Sequence, residues 1–147
     1  MTGSGAVVPP PPTPFVRQVP IRFSHCDPAG IVFFPQYLVM FNQLVEDWFN
    51  EGLRVPYAQM IEHRRIGLPI VRLECDFKSV SRMGDLVSMS LAVERAGVRS
   101  LGLALECRGG GALRVASRQV LVFTDLATHR SIEMPGDVRS RLQASWS

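Results

Sequence analysis

The stretch from Pro35 to Gly52 carries apolar side chains at three- and four-residue steps, and it constrains the fold more than any other feature of the chain. Tyr37, Leu38, Met40, Phe41, Leu44, Val45, Trp48 and Phe49 fall on one broad helical stripe. Pro35 suits the first helical position and Gly52 is a natural stop. Only Gln36, Asn42, Gln43, Glu46, Asp47 and Asn50 interrupt the apolar arc, so another layer must wrap this helix.

From Ile70 the period changes. Ile70–Val80, Asp85–Ala96, Arg99–Cys107 and Ala112–Thr124 read as four β-like runs rich in valine and leucine. Met83-Gly84-Asp85, Ala96-Gly97 and Gly109-Gly110-Gly111 supply the turns between them. An earlier strand is expected over Arg17–Ser24, a short helical stretch over Val55–Arg65, and a short helix through Arg141 after Pro135-Gly136-Asp137. One strand, one greasy helix and four consecutive antiparallel strands make an α+β pattern, most economically packed by curling the sheet around the helix. Long strands leave an open edge, which argues for pairing between subunits.

A chain of 147 residues suits one domain. Residues 1–15 read as a proline-rich tail too polar and turn-prone to bury a core, leaving 16–147 as the single domain. The tail has neither the positive charge nor the apolar run of a secretory signal, and no segment approaches the ~18 apolar residues of a membrane span. Cys26, Cys75 and Cys107 form no CxxC pair, so reduced thiols in the cytoplasm are expected. The net charge of +3 comes from 16 basic residues, all arginine except Lys78, dispersed rather than clustered. That argues against a nucleic-acid surface while leaving arginines for bidentate phosphate contacts.

Chemistry concentrates at residues 25–37. Asp27 sits in a Pro-Gly-rich loop beside Ile31, Val32, Phe33 and Phe34, where partial desolvation would raise its pKa and its reactivity. The helix opening at Pro35 has no Ser, Thr, Asp or Asn to cap it, so its first N–H groups still need an acceptor. A carboxylate beside such a helix end can attack a carbonyl whose oxygen those donors hold. The residues alone leave a second reading open, in which Asp27 only starts an Asp-Pro turn.

The run His25-Cys26-Asp27-Pro28-Ala29-Gly30-Ile31-Val32-Phe33-Phe34-Pro35-Gln36-Tyr37 resembles the active-site segment of the 4-hydroxybenzoyl-CoA thioesterase family. The likeness continues through Gly67-Leu68-Pro69-Ile70-Val71 and Glu133-Met134-Pro135. It implies a hot-dog fold, an antiparallel sheet wrapped around one long helix, assembled as a dimer or tetramer. It also implies an enzyme that hydrolyses an acyl-CoA thioester without a cofactor, the acyl group being of benzoyl or hydroxybenzoyl type. Asp27 falls on that family's catalytic aspartate and Phe34 on the residue whose backbone N–H polarises the thioester carbonyl. Tyr57 falls where that family has a tryptophan near the acyl ring, while Arg99 and Ser100, with Arg95 nearby, fall on a turn that touches the nucleotide of CoA; Phe33, with Phe34 and Phe41, adds aromatic surface that favours a flat ring. His25 departs from the family, which has an acidic residue there.

Two alternatives remain: a hydratase or dehydratase of the same fold, needing a His–Asp or His–Glu dyad for which His25 is the nearest histidine, and a non-catalytic acyl-CoA-binding protein. No metal is expected, because three adjacent residues such as His25-Cys26-Asp27 do not converge on one ion. Cys26 as a nucleophile would need a base in hydrogen-bond geometry, and a packed cysteine is the plainer reading. His63 and His129 read as surface residues.

Overall fold

The structure, a computed structural model, describes residues 14–145. Alternating burial decides its main layer. In β4 (Leu86–Ala96), β5 (Ser100–Gly109) and β6 (Ala112–Val122), buried side chains recur at every second position, as in a sheet with one covered face. Val87, Met89, Leu91 and Val93 bury from β4, Leu101, Leu103, Leu105 and Cys107 from β5, and Val115 and Leu121 from β6. The β5–β6 hairpin turns at Gly110 and Gly111, whose φ values of 59° and 78° cost glycine no strain.

Five strands form the sheet in the order β1-β4-β5-β6-β3, every pair antiparallel, with β1 at Phe15–Pro20 and β3 at Ile70–Phe77. Helix α1 (Pro35–Asp47) packs against this sheet and buries Tyr37, Met40, Phe41, Leu44 and Val45. Side chains of this size each contribute about 1.5–3 kcal/mol when fully buried. This is the expected α+β hot-dog arrangement.

Local details differ from the sequence reading, each for a physical reason. β1 opens at Phe15, which pairs with Leu91 and packs on the core, so Phe15 belongs to the domain and not to the tail. The tail's remaining residues up to 13 lie outside the described residues. The expected strand does not reach Ser24, because a 3-10 turn takes over at Phe23–His25. β3 pairs with β6 and not with the next strand, because residues 81–83 bond to the loop before α1 and carry the chain across to β4.

Gly52 is not the helix stop. The chain continues beyond Asp47 as a π-helical segment, Trp48–Leu53, and ends at Arg54 with a left-handed φ of 58°. A Cβ on Gly52 would stand 2.8 Å from Trp48 Cδ1 and 3.3 Å from Phe15 Cδ1, so this glycine admits β1. The short helical stretch resolves to α2 (Tyr57–Glu62), and the last helix, α3 (Gly136–Ala144), runs past Arg141. A second sheet of two-residue strands, β2 (Ile66–Gly67), β7 (Thr124–Asp125) and β8 (Arg130–Ser131), is too short to leave a periodic signal.

The β3 edge is open. Ile70, Val71, Leu73 and Phe77 are 40%, 61%, 40% and 48% exposed. Among the described residues no helix is long and apolar enough to cross a membrane.

Candidate active site

The loop before α1 is a small antiparallel ladder. Phe33 N–H donates to His25 O at 3.0 Å, Cys26 pairs with Val32, and Asp27 N–H donates to Ile31 O at 3.0 Å. Pro28-Ala29-Gly30 closes it, with Gly30 N–H donating to Asp27 O at 2.9 Å and Gly30 at a φ of 79°. A side chain there would meet open space but would strain the backbone, so conformation selects this glycine.

A second segment supports the ladder. Val32 N–H donates to Ser81 O at 3.0 Å, Met83 N–H donates to Gly30 O at 3.0 Å, and Ile31 pairs with Arg82. Asp85 anchors that segment by accepting Arg82 N–H at 2.9 Å and Arg114 Nη1 at 2.7 Å. Those two donors hold the Asp85 carboxyl below the usual carboxylate range.

Asp27 is half-buried on this scaffold. Its Oδ1 accepts Ala29 N–H at 2.8 Å, so it does start an Asp-Pro turn. Among the described residues Oδ2 accepts no hydrogen bond, which leaves an oriented carboxylate with one free oxygen. Turn-building and reactivity are therefore compatible in one side chain.

The helix end is narrower as a donor than its lack of a cap implies. No side chain caps α1. Gln36 N–H donates to Phe33 O at 2.8 Å, Tyr37 N–H donates to Phe34 O at 3.1 Å, and Pro35 has no N–H. Phe34 N–H alone remains without a partner among the described residues of this turn. One backbone donor, at the positive end of a 13-residue helix, thus follows directly on the ladder that holds Asp27.

Aromatic rings surround it. Phe33 and Phe34 rings lie 5.6 Å apart, Phe34 meets the Phe77 ring edge-on at 5.7 Å, and Tyr37 lies 6.0 Å from Phe77. Between the first turn of α1 and the end of β3 is a cavity of about 240 Å³ whose walls include Phe34, Tyr37, Phe77 and Lys78. Behind it the hydroxyls of Tyr37 and Ser81 are buried without a satisfactory hydrogen bond. Burial raises the Tyr37 pKa, and the neighbouring Ser81 partly opposes that.

The other predicted residues lie elsewhere. Tyr57 packs edge-on against Phe49 at 5.3 Å, and its N–H donates to Asn50 Oδ1 at 2.7 Å. At ~1.5 Å per helical residue, that end of the helix is roughly 20 Å from Pro35. Burial, and secondarily Glu46, raises the Tyr57 pKa. Arg95, Arg99 and Ser100 gather at the β4–β5 hairpin, where Arg99 Nη1 donates to Ser131 O at 2.9 Å. The Asp27 loop is bonded next to the opposite end of β4, and at ~3.3 Å per residue that strand separates the two groups by roughly 30 Å. Within one chain, the structure brings together Asp27, Phe33 and Phe34 but neither Tyr57 nor the arginines.

His25 Nδ1 accepts Arg22 N–H at 2.9 Å and Cys26 Sγ contacts Arg22 O at 3.4 Å, so neither bonds to Asp27 or to the other. His63 and His129 are exposed, and all three cysteines are free. Burial pushes the Cys107 thiol up to about 11. Ser81–Met83 as the support of the loop and Lys78 as a cavity wall have no signal in the sequence, where residues 78–85 read only as the end of a strand and a turn.

Fold and site define a class: a hot-dog domain with a carboxylate and a backbone amide donor at the head of its central helix. Residues 21–142 match the thioesterase-like superfamily, and the chain belongs to that family. The 4-hydroxybenzoyl-CoA thioesterase of Pseudomonas sp. (strain CBS-3) is 27% identical over 125 residues, covering 80% of this chain and 89% of that protein. A gentisyl-coenzyme A thioesterase superposes with a TM-score of 0.79 at 24% identity, covering 87% of this chain and 99% of that one. A Staphylococcus aureus protein solved in complex with CoA has a TM-score of 0.82 at 16% identity, covering 91% and 84%. The enzyme class read from the sequence, a thioesterase, agrees with the family match and with these relatives.

Proposed function

We propose that this protein hydrolyses an aromatic acyl-CoA thioester to the free acid and CoA, with Asp27 as the reacting carboxylate. One observation carries the proposal: the oriented Asp27 carboxylate and the unpartnered Phe34 N–H are held by the same hydrogen-bonded ladder. Phe34 N–H binds the thioester oxygen as it gains charge. Asp27 then attacks the carbonyl carbon, CoA leaves as the thiolate, and water hydrolyses the resulting anhydride. In the other route Asp27 takes a proton from a water that attacks directly.

Phe33 supplies aromatic surface for the acyl end, which Tyr57 joins only from a second subunit, and Arg95, Arg99 and Ser100 hold the nucleotide. The roughly 30 Å along β4 means that the arginines serve a site whose Asp27 belongs to another subunit. Pairing of two β3 edges would bring subunits together and cover Val71 and Leu73, which favours a dimer or a tetramer as the working unit. The named relatives act on hydroxylated aromatic acyl-CoA esters, which supports an aromatic substrate here.

The hydratase reading loses support because His25 Nδ1 is committed to Arg22 N–H. The test is CoA-thiol release from benzoyl-, hydroxybenzoyl-, short-chain and long-chain acyl-CoA, run beside Asp27→Asn. Release from an aryl ester, lost in the variant with ester binding retained, supports the proposal. An active Asn variant refutes the role of Asp27. Saturable binding without release from any ester would make the protein a binder.

A further inference from the structure

Lys78 is the single lysine of the chain, and it makes no ion pair or hydrogen bond through its side chain among the described residues. Several arginines are paired with carboxylates, as in Arg64–Asp137 and Arg114–Asp85. Lys78 instead stands just past the end of β3 in the wall of the cavity beside Phe34. Its backbone is fixed, because Lys78 N–H donates to Arg114 O at 2.7 Å, so the flexible stem starts from a set position.

The rest of that cavity is chemically simple. Phe34, Tyr37 and Phe77 supply ring faces and edges, and Val32 and Val80 supply aliphatic wall. The Tyr37 hydroxyl is turned into the protein toward Ser81, so it offers the cavity only its ring. Ser79 is the one other polar side chain in the wall. Phe34 and Phe77 touch edge-on at 5.7 Å, so together they form one aromatic wall against which a flat ring can lie. A volume of about 240 Å³ suits one ring, since pockets for larger drug-like molecules begin near ~300 Å³.

We propose that this cavity is the acyl subsite and that Lys78 selects a single-ring aryl group carrying a phenolic hydroxyl, whose oxygen its ammonium meets. The inference rests on the thioesterase reading for the position of the carbonyl at Phe34, and it adds where the ring lies and which side chain reads its substituent. The ammonium donates to the phenol oxygen and favours its ionised form. Methionine at this position keeps the stem and removes the charge.

The experiment measures two ratios. The first is kcat/KM for 4-hydroxybenzoyl-CoA over benzoyl-CoA, in the full protein and in Lys78→Met. The second is the Kd ratio of the non-hydrolysable thioethers 4-hydroxyphenacyl-CoA and phenacyl-CoA, in both proteins. The expected result is that Lys78→Met lowers the preference for the hydroxylated ring about tenfold in both, equivalent to ~1.4 kcal/mol. An equal loss on both rings would place Lys78 on the CoA phosphates, and no change would leave it in solvent; either overturns the inference. Lys78-dependent discrimination between the thioethers without thiol release would keep the subsite and refute the hydrolytic reading instead. Failure to bind either thioether would refute both.

Discussion

Phe34→Pro removes the backbone N–H donor together with the ring, at a residue whose φ already suits proline. Phe34 has a φ of −52°, inside the range of about −65 ± 15° to which proline is locked. Its N–H has no partner among the described residues, so folding loses no hydrogen bond, and its carbonyl still accepts Tyr37 N–H. Relative to Phe34→Ala, the proline variant should be as stable or more so, by about 0.4–1 kcal/mol from the stiffer unfolded chain. Both variants lack the ring, and only the alanine variant keeps the donor. Loss of one oxyanion donor costs about 10²–10³ in kcat, or ~2.7–4 kcal/mol of transition-state stabilisation. The assay is CoA-thiol release from 4-hydroxybenzoyl-CoA at saturating ester, with melting temperatures recorded for both proteins. A proline variant whose kcat falls by that factor below the alanine variant, at equal or higher melting temperature, supports the single-donor site. A proline variant as fast as the alanine variant refutes it.

Gly52→Ala should destabilise by about 1 kcal/mol, because overpacking costs ~1–3 kcal/mol and helix propensity returns under 1; its Cβ meets Trp48 Cδ1 at 2.8 Å. An unchanged urea midpoint would show that Trp48 and Phe15 yield freely. Tyr37→Phe should leave the melting temperature unchanged or higher, since it deletes a buried hydroxyl that lacks a satisfactory partner. A clear drop would reveal a bond that the geometry does not show. Asp85 has a depressed folded-state pKa, so its contribution is present above the unfolded value of about 3.9 and is lost as pH falls through the lower folded value. Asp85→Asn should therefore lose stability at pH 7 and show a flatter decline between pH 5 and pH 2. Parallel urea curves for the two proteins at every pH would contradict that sign.

The parts of the fold legible in the sequence are those set by periodicity over many residues. Tyr37, Met40, Phe41, Leu44 and Val45 bury as their spacing requires, and the Gly109-Gly110-Gly111 hairpin forms where its glycines permit positive φ. Strand partners were less legible. Nothing in Ile70–Phe77 distinguishes pairing with the next strand from pairing with β6, because the choice is made by backbone bonds from residues 81–83 to the loop at 30–32. Gly52 misleads for a related reason: a glycine needed for close approach looks the same in sequence as one needed for a helix stop.

The site was legible to the extent that it is local. Asp27, Gly30 and Phe34 sit within one ladder whose turn chemistry can be read directly, and even the absent cap at Pro35 is a sequence fact. What spacing could not supply is the reduction from several free amides to Phe34 N–H alone, which depends on the 3-10 turns made by Gln36 and Tyr37. Distance is the deeper limit. Arg99 and Asp27 belong to opposite ends of β4, a separation of roughly 30 Å at strand rise, so no one chain can apply both to one thioester. An antiparallel edge-to-edge meeting of two β3 strands reverses one subunit against the other, and reversal is what exchanges the ends of β4. Under the proposed function, the exposed Ile70, Val71 and Leu73 and the distant arginines both call for a second copy of the chain. Placing charges in Val71 and Leu73 should accordingly abolish turnover and association together.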